Sequence, residues 1–162
     1  PDTPIEWFEE HGVISKKWKG YEKRLSQIDL VKDVYLAFSE DHILLAEAGT
    51  GLGKSIAYLG AGFFSAKKTK KPLVVSTHTK NLQAQLFYKD IPQLSEVLDI
   101  NINAVIYKGR HNYICQTRLE NLFNNHTYLL NTNEYEAFIT LLVWEWETLT
   151  GDINECNGFH VK

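Results

Sequence analysis

Ile43-Leu44-Leu45-Ala46-Glu47-Ala48-Gly49-Thr50-Gly51-Leu52-Gly53-Lys54-Ser55 is the stretch on which the reading of this chain turns. A short apolar run, too brief for a helix, leads into glycines at alternate positions, and from Lys54 to Ala66 the sequence regains helical periodicity. That order predicts strand, glycine loop, helix. Residues 48–55 fit the phosphate-binding loop pattern, with Ala48 standing where the pattern has its first glycine. Glycines let the backbone curl so that successive N–H groups point at an anion, and the helix that follows offers its positive N-terminus to the same anion. The ligand chemistry this suits is a nucleoside triphosphate. Ala48, Gly49, Thr50, Gly51, Leu52 and Gly53 would wrap the phosphates, Lys54 would reach the β- and γ-phosphates, and the Ser55 hydroxyl would take one coordination place on Mg²⁺. A glycine-rich turn with no ligand is the plain alternative, and the flanking strand and helix weigh against it.

Upstream, Leu25, Ile28, Val31, Val34 and Phe38 recur at helical spacing, predicting a helix from about Tyr21 to Phe38 that Ser39-Glu40-Asp41 ends. Tyr21, Arg24 and Gln27 fall on it, and Arg24 and Gln27 share a side. A glutamine amide both donates and accepts, which suits the edge of adenine, although an exposed Arg/Gln pair is by itself most often solvated. Downstream, Leu73-Val74-Val75 and Ala104-Val105-Ile106 are further apolar runs, each following a break, with a helix expected over Lys80 to Tyr88. Continuous apolar strands alternating with helices predict an α/β fold with a parallel sheet covered on both faces. From Gln116 on the strand pattern stops, and Glu134 to Trp146 reads as one long helix.

The chain has 162 residues, 44% apolar and 23% charged, which is the composition of a globular domain with one core. Its longest apolar run, around Phe138 to Trp144, is far short of the roughly 18 residues of a membrane span, and the N-terminus has no secretory pattern. Two cysteines, Cys115 and Cys156, are too few for a disulfide framework. A cytoplasmic protein with no membrane partner, monomeric by default, is therefore expected. The net charge of −3 hides an uneven spread: residues 121–162 hold Glu134, Glu136, Glu145, Glu147, Asp152 and Glu155 against Lys162 alone. With no methionine and an abrupt end at His160-Val161-Lys162, the chain reads as a piece of a longer protein.

Three successive segments carry a family resemblance. Glu47 to Ser55, then Val75-Ser76-Thr77-His78-Thr79-Lys80-Asn81-Leu82-Gln83-Ala84-Gln85-Leu86, then Lys108-Gly109-Arg110-His111-Asn112-Tyr113-Ile114-Cys115 resemble, in order, the motifs of the DinG/XPD-type superfamily 2 ATP-dependent DNA helicases, and most nearly the bacterial DinG branch. The match runs over about residues 20–156. The resemblance implies that residues 1–114 are the N-terminal part of a RecA-like helicase domain, a partial P-loop NTPase fold with a parallel sheet. Residues 115–162 would be the helical start of an iron–sulfur or arch-type insertion. It implies that Arg24 and Gln27 read adenine, that Lys54 and Ser55 serve ATP and Mg²⁺, and that Thr77, His78, Thr79, Asn81 and Gln83 contact single-stranded DNA. Hydroxyl and amide donors at a helix start suit phosphate oxygens without reading bases. The same residues also suit a helix N-cap, with Thr79 or Ser76 meeting orphan N–H groups.

Cys115 matches the first of four cysteines that hold a [4Fe–4S] cluster in the iron–sulfur members, while other relatives keep this Cys without a cluster. Four thiolates are the usual requirement. A free, partly buried thiol is the alternative. Lys67 to Lys71 reads as a solvated loop and the Trp144/Trp146 helix as packing, since Glu145 and Glu147 would repel phosphate. By resemblance, the parent protein couples ATP hydrolysis to five-prime to three-prime translocation on single-stranded DNA in repair or replication. The acidic Asp-Glu-x-His box and second-domain arginines that hydrolysis needs in that family are not in these residues. Alternatives are a DinG relative acting as a nuclease, a P-loop ATPase indifferent to DNA, and a non-enzymatic nucleotide-binding module.

Overall fold

The computed structural model describes residues 1–157; His160, Val161 and Lys162, on which the reading of the chain end rests, lie outside them. It divides into two units, Pro1–Ile106 and a second from Tyr107 on. The first is helical: α1 Ile5–Phe8, α2 Val13–Lys17, α3 Leu25–Glu40, α4 Lys54–Thr69, α5 Lys80–Gln85, a π-helical turn Leu86–Asp90, and α6 Ile91–Leu98. The second holds a 3₁₀ turn Arg110–Asn112, α7 Gln116–Leu129, α8 Thr132–Glu147 and a 3₁₀ turn Ile153–Glu155.

The expected parallel sheet is not there: among the described residues no strand pairs into a ladder, and the lone β-bridge joins Tyr113 to Asp152. The apolar runs meant for strands lie outside regular structure with side chains in the open, Ile43 at 98% and Leu45 at 97% exposure, Val74 at 84% and Val105 at 89%. The reason is physical. A short β-branched run prefers extended chain, but a strand exists only where a neighbour's N–H and C=O groups complete its hydrogen bonds, and local sequence cannot supply that neighbour. The core forms instead between helices.

Helices α3 and α4 pack face to face through Ile28 and Val31 against Ala57, Leu59 and Ala61. Small residues on α4 admit other parts of the core: Gly60 lies where a Cβ would come within 3.2 Å of the Phe8 ring of α1, and one on Gly62 would meet Leu73 Cδ1 at 2.8 Å. The N-terminal residues, which sequence periodicity left unread, close the core. Phe8 and Ile14 are wholly buried, and the Tyr21 hydroxyl donates to the Phe8 carbonyl at 2.9 Å. Leu86, Leu94 and Val97 complete it from the π-helical turn and α6.

Helix ends differ in detail from the periodicity. Helix α3 starts at Leu25, with extended Arg24 as N-cap, so Tyr21 stands before the helix rather than on it. Asp41, Lys70 and Asp99 end α3, α4 and α6 in the left-handed conformation, a helix stop more often given to glycine or asparagine. The lysine run is a loop only in its second half: Lys67 and Lys68 lie in the last turn of α4, where cations suit the negative end of the helix, while Lys70 caps it and Lys71 follows, both exposed. At α5, Thr79 is the N-cap, its Oγ1 accepting from the Leu82 N–H at 3.2 Å. Thr79→Ala should therefore cost about 1 kcal/mol, read as a lower urea midpoint of the 162-residue chain with an unchanged denaturant slope; an unmoved midpoint would reject the cap.

In the second unit, α7 kinks at Asn125, whose backbone is non-helical. Gln116 Nε2 donates to Glu145 Oε1 at 3.3 Å, linking α7 to α8. Phe138 is buried there, with the His126 ring stacked on it at 6.1 Å.

Candidate functional site

The glycine loop closes on the first turn of α4. Gly51 and Gly53 stand at φ +81° and +77°, a conformation L side chains rarely adopt, and Gly53 is the N-cap of α4 with Lys54 its first residue. Glycine is required at these two positions because only it takes that backbone without strain. At Gly53 a second reason applies: a Cβ there would fall 2.4 Å from Gln27 Nε2.

Lys54 folds back over the loop, its Nζ donating to the Ala48 carbonyl at 2.7 Å and the Gly49 carbonyl at 2.9 Å. Arg24 Nη1 donates to the Gly51 carbonyl and Gln27 Nε2 to the Gly53 carbonyl, the latter at 3.1 Å. Gln27 is buried at 5% exposure, whereas the Arg24 side chain is about half open and also pairs with Glu22 at 3.5 Å. Thus Arg24, Gln27, Gly51, Gly53 and Lys54, separate in sequence, meet at one place. Ser55 is half-buried in the first turn of α4 and hydrogen-bonded with the Tyr58 hydroxyl. Burial raises the Tyr58 hydroxyl above its ordinary value; the Ser55 bond works against that rise and the Asp90 carboxylate adds to it. Asp90 is itself buried and accepts from Gln85 Nε2 at 3.1 Å. Sequence reasoning passed over Tyr58 and Asp90, which look like ordinary helix residues until the π-helical turn packs on α4.

The residues expected to meet DNA gather around the start of α5. Thr77 Oγ1 donates to the Thr79 carbonyl at 3.2 Å, and the Thr79 hydroxyl is committed to the helix cap. His78 and Asn81 are exposed and Gln83 is half-buried.

Cys115 is exposed and Cys156 buried, both as free thiols, and burial pushes the Cys156 thiol up. Among the described residues no three or more His, Cys, Asp or Glu side chains gather into a metal-binding group. Two thiols, one of them enclosed, do not make the four-thiolate set of a [4Fe–4S] cluster. For Mg²⁺ carried with a triphosphate, the Ser55 hydroxyl is a fitting oxygen donor; such an ion keeps most of its other places for phosphate and water.

Around Cys115 the chain is pinned by an ion pair between half-buried Lys108 and buried Asp152 that the sequence did not announce. Lys108 Nζ donates to Asp152 Oδ2, the Lys108 N–H donates to the Tyr113 hydroxyl at 3.0 Å, and the Ile114 N–H donates to the Gly151 carbonyl at 2.8 Å. Lys108 belongs to the Lys108 to Cys115 segment quoted above for its resemblance, and Asp152 was counted above only among the acidic residues of the C-terminal part.

The structure thus brings together a glycine loop, the N-terminus of α4 and a lysine turned back onto that loop. The comparisons with known proteins then give its relationship. The chain is 37% identical over 148 residues to the 3'-5' exonuclease DinG of Bacillus subtilis, covering 90% of this chain and 15% of that protein. It is 34% identical over 149 residues to the ATP-dependent DNA helicase YoaA of Haemophilus influenzae, covering 92% of this chain and 22% of that one. To YoaA of Escherichia coli it is 35% identical over 151 residues, covering 92% of this chain and 23% of the relative. The chain is a homologue of the DinG and YoaA proteins over about nine-tenths of its own length, and it spans less than a quarter of the length of each. No family model matches it, and no solved structure does. Among the described residues no helix is long and apolar enough to cross a membrane.

Proposed function

We propose that this chain is the nucleotide-binding part of an ATP-dependent DNA helicase, and that the whole protein couples ATP hydrolysis to movement along single-stranded DNA, five-prime to three-prime, in DNA repair or replication in the cytoplasm. The observation that carries the reading is the loop itself: Gly51 and Gly53 in left-handed conformation, Lys54 opening α4, and Arg24 and Gln27 beside them. On this reading Ala48 to Gly53 wrap the phosphates, Lys54 neutralises them and Ser55 takes a place on Mg²⁺. Arg24 and Gln27 stand on the adenine side, while Thr77, His78, Asn81 and Gln83 face the DNA backbone. Residues 1–114 then belong to the motor, and residues 115–162 begin the insertion that follows it.

The name of the Bacillus subtilis relative, an exonuclease, favours a second reading in which the whole protein degrades DNA. Against placing that chemistry here, relatives named as helicases also match about nine-tenths of the chain. The test separates the two. ATP turnover by the natural full-length protein should rise when single-stranded DNA is added, and the 162 residues alone should bind nucleotide yet separate no strands. DNA-independent turnover would sink the motor reading, and so would unwinding by the isolated chain.

A further inference from the structure

We propose that Arg24 and Gln27 are positioning residues of the phosphate-binding loop, which by gripping the carbonyls of Gly51 and Gly53 aim the amides that hold a phosphate chain. The proposal rests on the loop reading above and gives the two residues a task separate from recognising a base. Arg24 is the N-cap of α3 and Gln27 lies in its first turn, so both reach the loop from one short piece of chain. Their acceptors are the carbonyls of the two left-handed glycines.

Peptide geometry supplies the consequence. Among the described residues no peptide is cis, and in a trans peptide the C=O and the following N–H point opposite ways. Drawing the Gly51 carbonyl toward the start of α3 therefore turns the Leu52 N–H away from it, while the Gly53 carbonyl, which also accepts from the Ala57 N–H at 3.2 Å in α4, is shared with Gln27 and leaves the Lys54 N–H pointing away from both donors. Lys54 acts likewise at the front of the loop, where its hold on the Ala48 and Gly49 carbonyls turns the N–H groups of Gly49 and Thr50 the other way. Alternating grips of this kind gather successive N–H groups into an anion-binding concavity. Because Gln27 is buried, water is poorly placed to replace its donor. The fit is mutual, since no side chain could stand at position 53 beside Gln27 Nε2.

The test titrates the 162-residue chain calorimetrically with two probes, ATP and inorganic triphosphate, each with Mg²⁺, and follows folding by circular dichroism. Arg24→Ala, Gln27→Ala and Gln27→Glu are each expected to weaken inorganic triphosphate about fivefold to tenfold, and ATP by at least that factor. Gln27→Glu keeps the side-chain shape but has no N–H to donate, so it should be as weak as Gln27→Ala. Arg24→Ala removes a half-exposed side chain and should keep the thermal midpoint, so it decides the matter if a Gln27 variant fails to fold. Variants that lose ATP but hold inorganic triphosphate like the wild type overturn the proposal, because the residues then serve the base alone. Wild-type binding that Lys54→Ala destroys and these variants leave untouched also overturns it, with the loop reading intact. A wild-type chain that binds neither probe brings down the loop reading and the proposal together.

Discussion

Lys54→Ala is expected to lower the affinity of the chain for Mg-ATP by about a hundredfold or more, the loss of a charged donor to phosphate being about 3 kcal/mol, and to abolish ATP turnover in the full-length protein. The ammonium is already set by the loop, 2.7 Å from the Ala48 carbonyl and 2.9 Å from the Gly49 carbonyl. A cation held on carbonyl oxygens at the mouth of a helix N-terminus meets incoming phosphate with little reorganisation. Removing it leaves those carbonyls on an exposed loop where water can reach them, so folding should change little while binding collapses. DNA binding by the full-length protein should partly survive, because Thr77, His78 and Asn81 are on a different segment. Calorimetric titration and a turnover assay check this; unchanged turnover would refute the assignment of the loop.

Asp152→Ala is expected to cost the second unit about 2 kcal/mol, because it removes the charged acceptor shared by the half-buried Lys108 ammonium and the Asn154 amides. The carboxylate is nearly enclosed and fully used: Oδ2 accepts from Lys108 Nζ, and Oδ1 accepts from the Asn154 N–H at 3.1 Å and from Nδ2 at 2.6 Å. Burial alone would raise the Asp152 carboxyl; the hydrogen bonds from Asn154 and Lys108 overcome it and hold the group below its ordinary value of 3.8. The bond to Asp152 holds Lys108 above its ordinary 10.5. The signs follow by linkage. Stability from the lowered acid is complete above 3.8 and is lost as pH falls through the folded value of Asp152, whereas stability from the raised base is complete below 10.5 and is lost as pH rises through that of Lys108. The protection factors for hydrogen exchange over residues 107–157, each rate being divided into that of the unfolded chain at the same pH, should thus be largest in a broad neutral range and fall toward strong acid. In Asp152→Ala they should be low throughout; a variant as protected as the wild type at neutral pH would show that the pair holds nothing.

Legibility in the sequence followed the range of the interactions. The loop could be read because its requirements are local: glycines at 51 and 53 for positive φ, a lysine at 54 to open the helix. The helices at 25–40 and 54–69 could be read because an amphipathic face repeats every turn along one segment. Strand pairing could not, because Ile43, Val74 and Val105 carry the preference for extended chain but not the neighbour that satisfies it. The sheet expected from them was the error that followed. The partners of Arg24 and Gln27 were equally out of reach, being more than twenty residues away at Gly51 and Gly53.

The sequence by itself determined the order of the segments, the glycine loop with its lysine, the uneven charge and the kinship with DinG and YoaA, since each is written in neighbouring residues or in their order along the chain. Only the tertiary structure decided that the N-terminal Phe8 and Ile14 close the core, that Arg24 and Gln27 hold the loop by its carbonyls, and that Lys108 pairs with Asp152. Those choices depend on which distant groups share a desolvated space, and a one-dimensional pattern carries the preferences of each residue without the identity of its partner.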